Sequence, residues 1–208
     1  MKIRDNSRIL FLGDSITDVK FNFLQHRNIG GKNVYALQAA KQMKKRFSGL
    51  EFSFSGIASN RTYHVYDRFT KDCVSFKPDY VIMLIGVNDA WEHYTPESYP
   101  PLLRPMEPHM KEIYRRFHDE LPETKIMVLL PFMIDTVAEK YPFHKTLDEY
   151  REVLRAMALE NGAEVIDLQQ TFNEAQKRIE PVILSRDGIH PTNEGHAVIA
   201  EEIMKHIS

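Results

Sequence analysis

The chain is predicted to fold as an α/β protein, a three-layer α/β/α sandwich around a central, mostly parallel five-stranded sheet. Short β-rich runs alternate with longer stretches of helical periodicity, which is the βαβ rhythm of a parallel sheet. Two of the runs, Val81 to Ile85 and Ile126 to Leu130, are apolar without interruption, as strands covered by helices on both faces are. The polar, glycine-bearing blocks fall directly after strands, where the βα loops of open α/β sheets gather their ligands.

The first strand, Ile9 to Leu12, runs into Gly13-Asp14-Ser15 and delivers a serine to a tight turn ahead of a long polar loop. A helix over Tyr35 to Arg46 follows, its basic cluster Lys41 to Arg46 forming a solvated face near the negative end of the helix dipole. The second strand, Glu51 to Phe54, leads into the loop Gly56 to Asn60, and the third, Tyr80 to Ile85, into Gly86-Val87-Asn88-Asp89. The proline-dense segment Pro96 to Pro108 reads as a loop entering a helix over Pro105 to Glu120. After the fourth strand, Ile126 to Leu130, a helix over Leu147 to Glu160 places Leu147, Tyr150, Val153, Leu154 and Met157 on one face, and Asn161-Gly162 ends it. A fifth strand, Glu164 to Ile166, precedes a last helix, Asn193 to His206, with Ala197, Val198, Ala200, Ile203 and Met204 facing the sheet. No repeat, low-complexity tract or linker interrupts the pattern, so residues 1–208 are read as a single domain.

At 208 residues and 43% hydrophobic content, the chain can enclose a core without metals or disulfides. A net charge of -2 offers no basic footprint for nucleic acid or an anionic membrane, which points to a small, neutral partner. The single cysteine, Cys73, has no internal disulfide partner and reads as a half-buried small hydrophobe. The N-terminus lacks the apolar stretch of a signal peptide, so a cytoplasmic location is expected. The longest apolar segment, Ile126 to Ile134, is broken by Pro131 and falls short of the roughly 20 residues that span a bilayer, so no membrane insertion is expected.

A serine hydroxyl is a weak nucleophile until a base and an orienting group are brought to it. Asp187-Gly188-Ile189-His190, just before the last helix, offers both in one short segment. Taken together, Phe11-Leu12-Gly13-Asp14-Ser15-Ile16-Thr17-Asp18, the Gly56 to Asn60 loop, Gly86-Val87-Asn88-Asp89 and Asp187 to His190 resemble the SGNH or GDSL hydrolase superfamily of esterases and lipases. The stretches Phe11 to Asp18, Ile85 to Trp91 and Pro131 to Ile134 are most similar to its bacterial acetylxylan esterase-like members, and Asp187 to Pro191 with Gly195-His196 make the match specific to the superfamily. The resemblance spans nearly the whole chain and implies a flavodoxin-like sheet, carboxylic ester hydrolysis, no cofactor and no metal. It implies Ser15 as nucleophile, His190 as general base and acid, and Asp187 as its orienter. The oxyanion donors would be the Ser15 N–H, the Ser59 N–H and the Asn88 amide. A short acyl group, acetyl first, on a small-molecule ester or an acetylated saccharide is the implied substrate, and homo-oligomers are expected by the same analogy.

The second block departs from the family pattern Asn-x-Gly-x-x-Gly-Asn/Asp. Phe54 replaces the asparagine and Ser59 the second glycine. A serine keeps the backbone N–H but restricts the positive φ that glycine tolerates, so Ser59 is expected to donate still, with a narrower acyl pocket. Trp91 and Tyr94 are candidates to line the substrate cleft, with packing as the equal alternative. His196 is read as packing, and Asp14 and Asp18 as holding the nucleophile turn.

Singly, each block has a bland reading as a turn; their number and order favour chemistry. Lipase, lysophospholipase or thioesterase activity stays open in the same fold. Two further classes are weaker. A metal-dependent phosphoesterase could draw on Asp14, Asp18, Asn88, Asp89, Asp187 and His190, but lacks histidine-rich ligand pairs. A non-catalytic carbohydrate-binding protein would have kept Ser15, Asp187 and His190 without using them.

Overall fold

The computed structural model describes residues 1–20, 33–95 and 105–208; the expectations for the polar loop at 21–32 and for 96–104 of the proline-dense segment lie outside these. Five strands, β1 (Arg8–Gly13), β2 (Glu51–Gly56), β3 (Tyr80–Leu84), β4 (Lys125–Leu130) and β5 (Glu164–Asp167), pair in the order β2-β1-β3-β4-β5. Every pair is parallel, where the sequence predicted a mostly parallel sheet. This is the flavodoxin-like order. Gly13 lies in register with Gly56 of β2 and Leu84 of β3. The ends of three neighbouring strands are therefore level, and their loops leave the sheet along one edge.

Successive side chains of a strand point to opposite faces, which divides the core in two. On one face Ile9, Phe11, Ile82, Leu84, Met127, Leu129 and Ile166 pack with helices α1 (Tyr35–Arg46), α6 (Leu168–Ala175) and α8 (Asn193–Lys205). On the other, Leu10, Leu12, Val81, Met83, Val128 and Leu130 pack with α2 (Thr62–Asp67), α4 (Met106–Glu120) and the second half of α5 (Phe143–Glu160). All five residues of β3 are buried, and each large apolar side chain there is worth about 1.5–3 kcal/mol over its exposed state. The helices follow their own chemistry. In α1, Tyr35, Ala36, Ala39, Ala40 and Met43 form the buried stripe, and Lys44, Lys45 and Arg46 close the last turn against the dipole. Thr192 caps α8 by accepting from the Gly195 N–H at 3.3 Å, and Asp167 caps α6 by accepting from the Gln170 N–H at 3.0 Å.

Three differences from the sequence reading bear on the site. Gly86-Val87-Asn88-Asp89, read as a loop, instead opens helix α3 (Val87–Tyr94), entered through Gly86 at φ +115°. Helix α5 starts at Phe143 rather than Leu147, and α2, α6 and α7 (Pro181–Leu184) were not anticipated. Cys73 lies in a π-helical turn, Thr70–Val74, and is fully rather than half buried. Burial pushes its thiol up to about 12. Among the described residues, no helix is long and apolar enough to cross a membrane.

Candidate active site

The first component is the turn that leaves β1. The Thr17 N–H donates to the Asp14 carbonyl at 3.1 Å, and Asp14 Oδ1 accepts from the Ile16 N–H at 2.9 Å. Ser15, between them, is buried. Any side chain at Gly56 would collide with the backbone of Thr17 and Asp18, so glycine there lets the exit of β2 lie directly against the serine turn. Asp14 is wholly buried, and its Oδ2 has no hydrogen-bond partner among the described residues. Burial pushes its carboxyl up to about 7, with the Ile16 N–H and the His190 charge opposing.

The second component is the segment between α7 and α8. An antiparallel bridge pairs Ser185 with Pro191, and the Ile134 N–H donates to the Gly188 carbonyl at 2.8 Å, tying the segment to the exit of β4. Lys140 Nζ donates to the Asp187 carbonyl at 2.7 Å. Inside this frame, Asp187 Oδ1 accepts from the backbone N–H groups of Ile189 and His190 at 2.9 and 2.8 Å. Asp187 Oδ2 lies 2.7 Å from His190 Nδ1, and His190 Nε2 lies 3.0 Å from Ser15 Oγ. Burial would raise the Asp187 carboxyl, but its bond to the His190 ring, the ring's charge and the two backbone donors prevail and hold it well below the usual carboxylate range. An ionised carboxylate only accepts, so Nδ1 carries the imidazole hydrogen. Nε2 is thereby left with its lone pair toward the Ser15 hydroxyl.

The third component is the loop after β2 with the start of α3. The Asn60 N–H donates to the Ile57 carbonyl at 3.2 Å, closing a turn with Ser59 at φ +61°. Positive φ at the third position is the type II signature, normally met by glycine. The substitution at the family's second glycine has therefore kept the left-handed backbone. Asn88 Nδ2 donates to the Asn60 carbonyl at 3.0 Å, which uses one of its two hydrogens. Asp89 is buried and accepts from the Thr62 N–H at 3.1 Å and the Thr62 hydroxyl at 2.6 Å, and Arg61 pairs with Glu92 at 2.6 Å. Residues 60, 61 and 62 are thus each bonded to α3, which holds the loop against the helix.

The structure brings Ser15, Asp187 and His190 into one hydrogen-bonded line. Trp91 and Tyr94 sit half-buried, their rings 4.9 and 5.5 Å from that of Phe143, with Lys140 Nζ 5.6 Å from the Trp91 centroid. His196 is buried, accepts from the Tyr35 N–H at 3.2 Å and stacks on the Tyr35 ring. Burial, helped by the His190 charge, pushes its imidazole down to about 3, so it packs as a neutral ring. No group of three or more His, Cys, Asp or Glu among the described residues is placed to hold a metal ion. Sequence reasoning missed Ser185, which is buried with its Oγ 3.2 Å from Asp187 Oδ1 and 2.8 Å from the His190 carbonyl, and Lys140, because neither belongs to a motif.

Residues 11–198 match the GDSL-like lipase/acylhydrolase family, a span that holds all three components. The chain belongs to this family. It is a carboxylic ester hydrolase. An acetylxylan esterase from Geobacillus stearothermophilus is 29% identical over 216 residues, covering 100% of this chain and 96% of that protein. Among solved structures, a GDSL-like protein of Parabacteroides merdae superposes with a TM-score of 0.82 at 29% identity, over 98% of this chain and 96% of that one. The Geobacillus acetylxylan esterase, solved as a catalytic mutant lacking a histidine, superposes with a TM-score of 0.82 at 26% identity, over 99% and 95% of the two chains.

Proposed function

We propose that residues 1–208 form one catalytic domain, a serine esterase that removes short acyl groups, acetyl first, from a carbohydrate or related alcohol. The observation that carries this is the line from Ser15 Oγ through the His190 ring to Asp187, at 3.0 and 2.7 Å. Ser15 Oγ attacks the ester carbonyl carbon while His190 Nε2 takes the hydroxyl proton, and Asp187 stabilises the imidazolium. The carbonyl oxygen becomes an oxyanion that accepts from the backbone N–H groups of Ser15 and Ser59 and from the second hydrogen of the Asn88 amide. The tetrahedral adduct collapses, the C–O bond to the alcohol breaks, and His190 returns the proton to the departing alkoxide. A water then attacks the acyl-serine, with His190 again taking a proton and passing it back to Ser15 Oγ. The carboxylic acid leaves and the hydroxyl is restored.

The acetyl and saccharide parts of the proposal draw support from the relative's identity as an acetylxylan esterase. Catalytic mutants of that protein replace a serine, an aspartate or a histidine, the same three residue types. The test is hydrolysis of p-nitrophenyl esters of increasing chain length beside acetylated xylo-oligosaccharides, with Ser15→Ala as the control. Acetate is expected to be the best simple ester, and Ser15→Ala to lose about 10⁴-fold or more in turnover. Preference for long chains would overturn the acetyl assignment, and unchanged turnover in Ser15→Ala would overturn the mechanism.

A further inference from the structure

Arg68 ends helix α2 on the side facing the sheet, with only 12% of its side chain exposed. A buried guanidinium is costly unless its donors are used and its charge is paired. Here Nη1 bonds Asp72 and the Ser55 hydroxyl, and that hydroxyl donates to Asp72 Oδ2 at 2.5 Å. The remaining donors leave this pair for the candidate site. Nη2 donates to the Gly13 carbonyl at 2.9 Å, and Nε donates to Asn60 Oδ1 at 3.0 Å.

These acceptors belong to separate parts of the site. Gly13 is the residue before Asp14-Ser15, and Ser55 is the residue before the Gly56 to Asn60 loop. Asn60 closes the Ser59 turn with its N–H and holds the Asn88 amide with its carbonyl. A single planar group thus fixes the spacing between the turn that carries the serine and the loop that carries Ser59 and holds the Asn88 amide. Lysine could not replace it, because an ammonium is a point charge without the fork that reaches acceptors in different directions.

We propose that Arg68 is a positioning residue that sets the geometry of the oxyanion pocket, acting on Ser15 through Gly13 and on Asn88 through Asn60. This rests on the esterase reading above, since an oxyanion pocket has a role only if Ser15 is acylated. Arg68 touches no reacting atom. Its effect falls on the transition state, where displacements of about 1 Å cost up to roughly 10²-fold in rate.

The experiment compares wild type, Arg68→Met, Arg68→Lys and Asn60→Ala, the last of which removes the Nε acceptor while keeping the backbone carbonyl that holds Asn88. It measures kcat and KM for p-nitrophenyl acetate, inhibition by phenylboronic acid as a tetrahedral mimic, and the thermal midpoint. Active sites are counted by fluorophosphonate labelling. Arg68→Met is expected to lose about 10- to 100-fold in kcat per labelled site, with KM within about threefold and boronate inhibition weakened in step. Arg68→Lys and Asn60→Ala are expected to fall between it and wild type. A lowered midpoint with wild-type kcat per labelled site would mean that Arg68 only supports the fold, and would overturn the assignment. Should Arg68→Met fail to fold, wild-type kcat in both Arg68→Lys and Asn60→Ala would overturn it equally. If wild-type Ser15 takes no label, or Ser15→Ala keeps full turnover, the esterase reading falls and this inference with it. A labelled Ser15 with unmoved Arg68 variants sinks the inference alone.

Discussion

Ser59 stands at φ +61° where the family pattern has glycine, so Ser59→Gly separates the backbone contribution from the side-chain one. The left-handed conformation costs an L-residue about 1–2 kcal/mol relative to glycine. Against this, glycine gives the unfolded chain more freedom, worth about 0.4–1 kcal/mol in the other direction. The balance is a gain of about 0.5–1 kcal/mol, or roughly 1–4 °C in Tm for a domain of this size. Ser59→Ala keeps the Cβ and the strain, and should stay within about 0.5 kcal/mol of wild type. Both variants keep the N–H proposed as an oxyanion donor, so kcat for p-nitrophenyl acetate should hold within about threefold. Only the glycine variant removes the side chain expected to narrow the acyl pocket, so its butyrate-to-acetate rate ratio should rise. Thermal melts and an ester series check all three statements. A lower Tm in Ser59→Gly would refute the strain argument. A tenfold loss of kcat at unchanged Tm would refute the donor role.

Asn88→Ala removes a side-chain donor while leaving the Asn60 carbonyl free to bind water, and should lower kcat by about 10²- to 10³-fold with little change in KM; steady-state kinetics on p-nitrophenyl acetate would read it, and a change confined to KM would contradict the role. Asp14 gives a pH-dependent prediction. Its folded value of about 7 lies above the ordinary 3.8, so burial penalises the ionised form. That penalty is absent below about pH 4, grows as pH rises toward 7, and is constant above, reaching up to about 4 kcal/mol. Asn cannot ionise, so the Tm of Asp14→Asn relative to wild type should rise between about pH 4 and 8. A difference that is flat with pH, measured by calorimetry, would show that burial does not raise the Asp14 carboxyl above its unfolded value.

Legibility in the sequence followed how locally each feature is determined. Val81 to Leu84 and Ile126 to Leu130 announced interior strands because burial on both faces removes polar residues from every position. Asp187 and His190 were readable as a pair because one short segment holds both, and the Asp187 carboxylate binds the backbone of that same segment. Helix α3 was not readable. Gly86-Val87-Asn88-Asp89 has turn composition, and what makes it a helix is outside it, in Thr62 bonding Asp89 and in Val87 and Ala90 entering the core. Arg68 was equally hidden, since Gly13, Ser55 and Asn60 approach one another only once β1 and β2 are paired.

Ser59 carries this distinction furthest. Compared letter by letter, the second block departs from its pattern at Phe54 and Ser59, and the oxyanion loop looks compromised. The glycine of such a pattern stands for a backbone state, however, and residue identity is only its usual carrier. The loop keeps that state through bonds that do not involve the Ser59 side chain: Ile57 N–H to the Gly13 carbonyl, Asn60 N–H to the Ile57 carbonyl, and Arg68 to the Asn60 side chain. Three bonds on two neighbours, Ile57 and Asn60, over-determine the turn, and a strain of about 1–2 kcal/mol at one residue is small against them. The same reasoning locates the weak point of the loop: substitutions at Asn60 or Arg68, which leave every family motif glycine intact, should disturb the oxyanion pocket more than restoring glycine at position 59.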